Sequence, residues 1–135
     1  MSDRPTPPPD QRWRLARSFG HAFRGIGMML RTQANARIHA AATVLVVAAG
    51  FWLRISPGEW CAVTAAIGLV WLAEGLNTAL EALVDLVSPA VHPLAGRVKD
   101  VAAGAVLCAA LAALVIGAVI FGPRVWALVC CGRGH

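Results

Sequence analysis

Residues 73–86 read "AEGLNTALEALVDL", an apolar helical run that nevertheless holds Glu74, Asn77, Glu81 and Asp85. From Glu74, the other three stand three, seven and eleven residues on. At the helical step this confines all four to an arc of about 80°. Leu76, Ala79, Leu80, Leu83, Val84 and Leu86 occupy the rest of the surface. A carboxylate in hydrocarbon is costly, so such a stripe must face a protein interior or a wet cavity.

The rest of the chain supplies the hydrocarbon setting. Of 135 residues, 58% are hydrophobic and only 14% charged, far from the balance of a soluble domain. A net charge of +5 raises the question of nucleic acid. The distribution argues against it. Seven of the 12 basic residues lie in the first 37 positions, ahead of the first long apolar run. That pattern is a topology signal and a headgroup-binding face. No nucleic-acid partner is expected.

Residues 1–11, with "PTPPPD", are expected to be a disordered Pro-rich tail. Residues 12–31 form an amphipathic surface helix. Leu15, Phe19, Phe23, Ile26 and Leu30 lie on one face, and Arg14, Arg17, His21, Arg24 and Arg31 lie opposite. Three spans follow at about 38–53, 60–87 and 101–121, each of roughly membrane-crossing length. "RISPGEW" reads as a turn with Pro57–Gly58 as breakers, and "SPAVHPLAGRVKD" as the next connection. In the third span Ala105, Ala109, Ala113 and Gly117 recur every fourth residue, a stripe suited to close helix contact. Gly122–Pro123 is expected to end it, leaving 123–135 as a short tail. Arg97 and Lys99 beside the basic N-terminal arm place both on the cytoplasmic side. Cys61, Cys108, Cys130 and Cys131 have no metal or redox spacing and read as small apolar filler. The fold class is thus an all-α integral membrane protein, with a surface helix and three transmembrane helices.

Carboxylates and an amide oxygen, without thiolates or paired histidines, suit a hard cation such as Mg²⁺. Lys99 at the membrane boundary suits a phosphate. There is no Walker A loop or glycine-rich phosphate cradle. Three readings share these residues: phosphoryl transfer, an ion-coupled transporter with a carboxylate relay, and a polar stripe that holds an oligomer together.

The motif "EGLNTALEALVDL", followed by "HPLAGRVKDVAAGAVL" at 92–107, resembles the small prokaryotic diacylglycerol kinases and undecaprenol kinases. Weaker similarity extends through "NARIHAA" and "AFRGI". The resemblance implies a bacterial plasma-membrane lipid kinase, homotrimeric, that moves the γ-phosphate of MgATP to a lipid hydroxyl. It assigns Glu81 as general base and metal ligand, with Glu74 in support. Asn77, Lys99, Asp100, Asp85 and Arg14 match positions at or near the nucleotide. Gln33 stands where the family commonly has a metal-binding glutamate, offering an amide oxygen without the charge. "NTALE" and the second motif are closer to the undecaprenol-kinase branch. His92, in a Pro-flanked loop, reads as structural.

Overall fold

The computed structural model describes residues 11–131. They form four helices: α1 (Gln11–Thr32), α2 (Ala34–Trp52), α3 (Pro57–Val87) and α4 (Pro93–Cys131). No strand occurs among the described residues. The Pro-rich tail, except Gln11, and the last four residues lie outside the described segment. α2, α3 and α4 are each long and apolar enough to cross a membrane. α1 instead exposes Leu15, Phe19 and Phe23 along one face, as a helix lying in an interface requires. The chain is a multi-pass membrane protein.

Most tertiary contact joins α3 to α4, with α2 against α3 and α1 touching α2 and α3. The small core at one end is Ile55, Val63 and Ile120, with Val46 and Trp60 packed against it. The outward faces of α3 and α4 keep Leu69, Leu76, Leu83, Leu107 and Leu114 exposed. In water that would be an aggregation surface; in a bilayer it meets lipid or neighbouring helices.

Three boundaries differ from the sequence expectation. Pro57–Gly58 does not break the chain but opens α3. Ser56 caps it, accepting from the Glu59 N–H while the Glu59 carboxylate accepts from the Ser56 N–H at 2.7 Å. This is a capping box with proline in the first turn, where its missing N–H costs nothing. Likewise Pro93 starts α4, so the connection shrinks to Ser88–His92, and Lys99 and Asp100 stand on a helix. His92 lies just before that helix, its Nδ1 accepting from the Leu94 N–H at 3.2 Å, in keeping with a structural role.

The third difference is that α4 runs through Pro123 to Cys131 instead of ending at Gly122. Proline removes one backbone donor and crowds the preceding turn. Arg124 follows directly, its Nη1 donating to the Ile120 carbonyl at 2.6 Å. The same guanidinium forms a two-pronged pair with Glu59, both contacts at 2.8 Å. One side chain thus fastens the turn after the proline to the start of α3.

The link between α2 and α3 places two demands on the chain. Ile55 N–H donates to the Gly50 carbonyl and Arg54 N–H to that of Phe51, a Schellman ending with Arg54 at φ 51°. That position favours glycine. Arg54→Gly is therefore expected to raise stability in detergent by about 0.5–1 kcal/mol, read as a higher melting temperature. Gly50 is the opposite case. A Cβ there would lie 2.8 Å from the Trp60 ring and 3.2 Å from Ile55. Gly50→Ala should destabilise by about 1–3 kcal/mol in the same melt, because the indole is wedged between helices and must shift.

The small-residue stripe is also revised. The buried line of α4 is Ala102, Val106 and Ala109. Gly117 has nothing within 4 Å of where a side chain would start. Cys61, Cys108 and Cys130 are free and exposed, facing outward from the chain instead of filling its core.

Candidate active site

The polar stripe of α3 begins in the protein interior and ends at its surface. Glu74 is 1% exposed and Asn77 6%, Glu81 is half-buried, and Asp85 is exposed. The helical rise explains the gradient. With Trp60 as an anchor at one interface, Glu81 lies about 31 Å along the axis, one hydrocarbon thickness away. Glu74, two turns earlier, remains at membrane depth.

Glu81 is the centre of the arrangement. Its Oε1 accepts from Asn77 Nδ2 at 3.1 Å, one turn back on α3. Its Oε2 accepts from Gln33 Nε2 at 3.3 Å, forty-eight positions away in sequence. Gln33 reaches it because the chain breaks there. It is the single non-helical residue between α1 and α2, extended at φ −102° and ψ 122°, with its N–H donated to the Met29 carbonyl at 2.9 Å. Gln33 stands at the cap position of α2 but makes no side-chain cap. Its amide is committed to Glu81.

Among the described residues, two buried oxygens in this cluster have no partner: Glu74 Oε2 and Asn77 Oδ1. Leaving a buried carboxylate oxygen unpaired is expensive, and such an atom calls for an explanation. The Glu74 backbone carbonyl accepts from the Thr78 hydroxyl at 2.9 Å, but that leaves the carboxylate unserved.

One turn beyond Glu81, Asp85 Oδ1 pairs with Lys99 Nζ of α4 at 2.5 Å. Lys99 is 38% exposed and the pair is open to solvent. Asp100 is exposed beside it, on the first turns of α4. The structure therefore brings Gln33, Asn77 and Glu81 together in direct contact, and sets Lys99 and Asp85 against each other on the same stripe. Arg14 is not brought in. It is exposed near the start of α1, about 27 Å along the helix from its end, and its side chain makes no hydrogen bond or ion pair among the described residues.

The residues fit a hard cation. No three His, Cys, Asp or Glu side chains converge as a metal cage among the described residues. Mg²⁺ does not need one, since it is held by one or two carboxylates with the remainder from amide oxygens, water and substrate phosphate. Glu81 and the unpartnered Asn77 oxygen supply that minimum. The Glu59–Arg124 clasp at the other end of the bundle was missed in the sequence. Its signal was Ser56-x-x-Glu59, three residues apart, but nothing local pointed from there to Arg124.

Known proteins resemble this chain over most of its length. The family model described as prokaryotic diacylglycerol kinase matches residues 20–121. An undecaprenol kinase of Bacillus subtilis is 44% identical over 111 residues, covering 82% of this chain and 90% of that protein. A diacylglycerol kinase of Synechocystis is 40% identical over 113 residues, 83% of this chain and 65% of its own length. A diacylglycerol kinase of Escherichia coli is 30% identical over 102 residues, 76% of this chain and 84% of that one. The matches give no support to the transporter reading of the carboxylate stripe. With the matched region taking in α2, α3 and the first three-quarters of α4, the chain belongs to the prokaryotic diacylglycerol kinase family.

Proposed function

We propose that this membrane lipid kinase transfers the γ-phosphate of ATP to the hydroxyl of undecaprenol, at the cytoplasmic face of a bacterial plasma membrane. The observation that carries the reading is the Gln33–Glu81–Asn77 cluster, with the Asp85–Lys99 pair one turn beyond Glu81 and the Glu74 carboxylate two turns before it. The higher identity to the undecaprenol kinase supports the choice of lipid. The basic N-terminal arm and Arg97 and Lys99 support a cytoplasmic site.

The resemblance gives Glu81 both proton acceptance and metal binding. The geometry favours dividing these tasks. Each Glu81 oxygen already takes an amide N–H, which fixes the carboxylate's direction while leaving its second lone pairs for a cation. Glu81 would hold Mg²⁺, with Gln33 and Asn77 fixing its carboxylate through their N–H groups and water and phosphate oxygens completing the ligand set. When bound, that ion neutralises charge on the phosphate oxygens. Glu74, with a free oxygen at membrane depth, is placed to accept the proton of a lipid hydroxyl. The hydroxyl oxygen forms a bond to the γ-phosphorus, the bond to the bridging oxygen breaks, ADP leaves, and the proton ends on Glu74.

Lys99 supplies positive charge to the phosphates. An aspartate directly against a polyphosphate would repel it, so Asp85 serves by holding Lys99 in place. Lys99→Met should lower kcat/KM for ATP by about 10²–10³, with the lipid KM little changed, in steady-state assays with either substrate varied. Asp100 stands exposed beside Lys99 at the rim, and Arg14, near the start of α1, takes no part within one chain. A homotrimer accounts for the long exposed apolar faces and for the sparse contacts of α2.

The test is direct. Purified protein with γ-labelled ATP and Mg²⁺ is given undecaprenol and, separately, diacylglycerol in micelles. Label is expected in undecaprenol at the higher kcat/KM. Label in neither, with the protein folded, would end the lipid-kinase proposal.

A further inference from the structure

We propose that the apolar groove between α2, α3 and α4 is the bed for the hydrocarbon tail of the lipid alcohol. This rests on the lipid-kinase reading above and adds to it a tail-binding site. The groove has a volume of about 700 Å³ and is lined almost wholly by aliphatic side chains and small residues. Its two polar side chains on α2 are His39 and Thr43. The Thr43 hydroxyl is already satisfied, donating to the His39 carbonyl at 2.7 Å and accepting from Trp71 Nε1 at 3.1 Å. It therefore adds no unmet polar group to the wall.

What identifies the occupant is the continuity of one face of α3. Val63, Ala66 and Val70 line the groove, and all three are buried. Continuing at the same helical spacing, the next buried residues are Glu74 and Asn77. A single face thus changes from apolar to carboxylate and amide within one turn, about 6 Å. An amphiphile with a hydroxyl at one end and hydrocarbon behind it has that same order of polarity. With its hydroxyl at Glu74, its tail would enter the groove at Val70.

The opposite wall explains the small residues of α4. Ala110, Ala113, Gly117 and Gly122 line the groove, and a Cβ added at Gly117 or Gly122 meets nothing within 4 Å. Their smallness makes a trough, not a helix contact. The lining on α4 from Ala110 to Gly122 runs about 18 Å through hydrocarbon, up to the Glu59–Arg124 pair. Such a trough suits a long isoprenoid tail better than a headgroup or nucleotide.

Gly117→Leu and, separately, Ala113→Leu fill the trough from the same wall, remote from Glu74, Glu81 and Lys99. The experiment measures KM and kcat for undecaprenol and for a short prenol such as geraniol, in one detergent. Particle mass is followed by light scattering, and folding by thermal melt. In the wild type, kcat/KM is expected to rise at least about tenfold from the short prenol to the long one. Both variants should raise the KM for undecaprenol about tenfold, with a much smaller effect on the short prenol and with unchanged mass. Equal wild-type kcat/KM for both prenols would overturn the groove while leaving the kinase reading intact. So would filled variants that retain the wild-type preference, because the tail would then lie in bulk lipid. A fall in particle mass on filling would assign the groove to a second copy of the chain. Wild-type protein that labels no lipid alcohol would remove the kinase reading and the groove with it.

Discussion

Glu74→Gln is expected to lower turnover by about 10²–10⁴, the usual contribution of a positioned proton acceptor. The reason is the position of its free oxygen. Glu74 is the most deeply buried large side chain, and its Oε2 has no partner among the described residues. A glutamine keeps the volume and polarity but cannot take the proton. It also removes a buried, unpaired carboxylate, so the variant should melt at the same or a higher temperature. Lost turnover with retained stability separates a chemical role from an assembly role. If Glu74→Gln instead fell apart, or kept turnover within a few-fold of wild type, the proton would have to go elsewhere, and Glu81 would be the next candidate.

Glu81→Gln is expected to fail differently. Its carboxylate is held by two amide donors, as a ligand is held in a preorganised site. Removing the charge should cost about 10²–10³ in kcat at ordinary Mg²⁺ and raise the Mg²⁺ needed for half-maximal activity by about tenfold or more. Raising Mg²⁺ should restore part of the Glu81→Gln loss and none of the Glu74→Gln loss. The measurement is turnover against Mg²⁺ concentration for the two variants side by side. Equal Mg²⁺ curves for Glu81→Gln and wild type would exclude the metal role.

Much of this was legible in the chain. The positions of the spans follow from length and polarity alone, since a membrane demands long apolar helices. The stripe is equally plain, because helical period places Glu74, Asn77, Glu81 and Asp85 on one face however the rest packs. Its gradient from buried to exposed also follows, once Trp60 is taken as an interfacial anchor. Element ends were harder. Pro57, Pro93 and Pro123 carry the same residue type, yet two begin helices and one lies inside. Local sequence separates the first through Ser56 and Glu59. It does not separate the third, because continuation there involves Arg124 meeting Glu59 from the far end of another helix.

Period and composition alone make this a membrane protein of four helices with a carboxylate face on α3, and the motif on that face is the family's. Those properties depend on period and composition, which are local. Tertiary structure alone decided that Gln33, at the break between α1 and α2, donates to Glu81, and that Lys99 is already paired with Asp85. It also turned the small residues of α4 into a trough that continues the Glu74 face of α3. These are contacts between residues fourteen or more positions apart, and their distances depend on how helices lean on one another. No helical period encodes that.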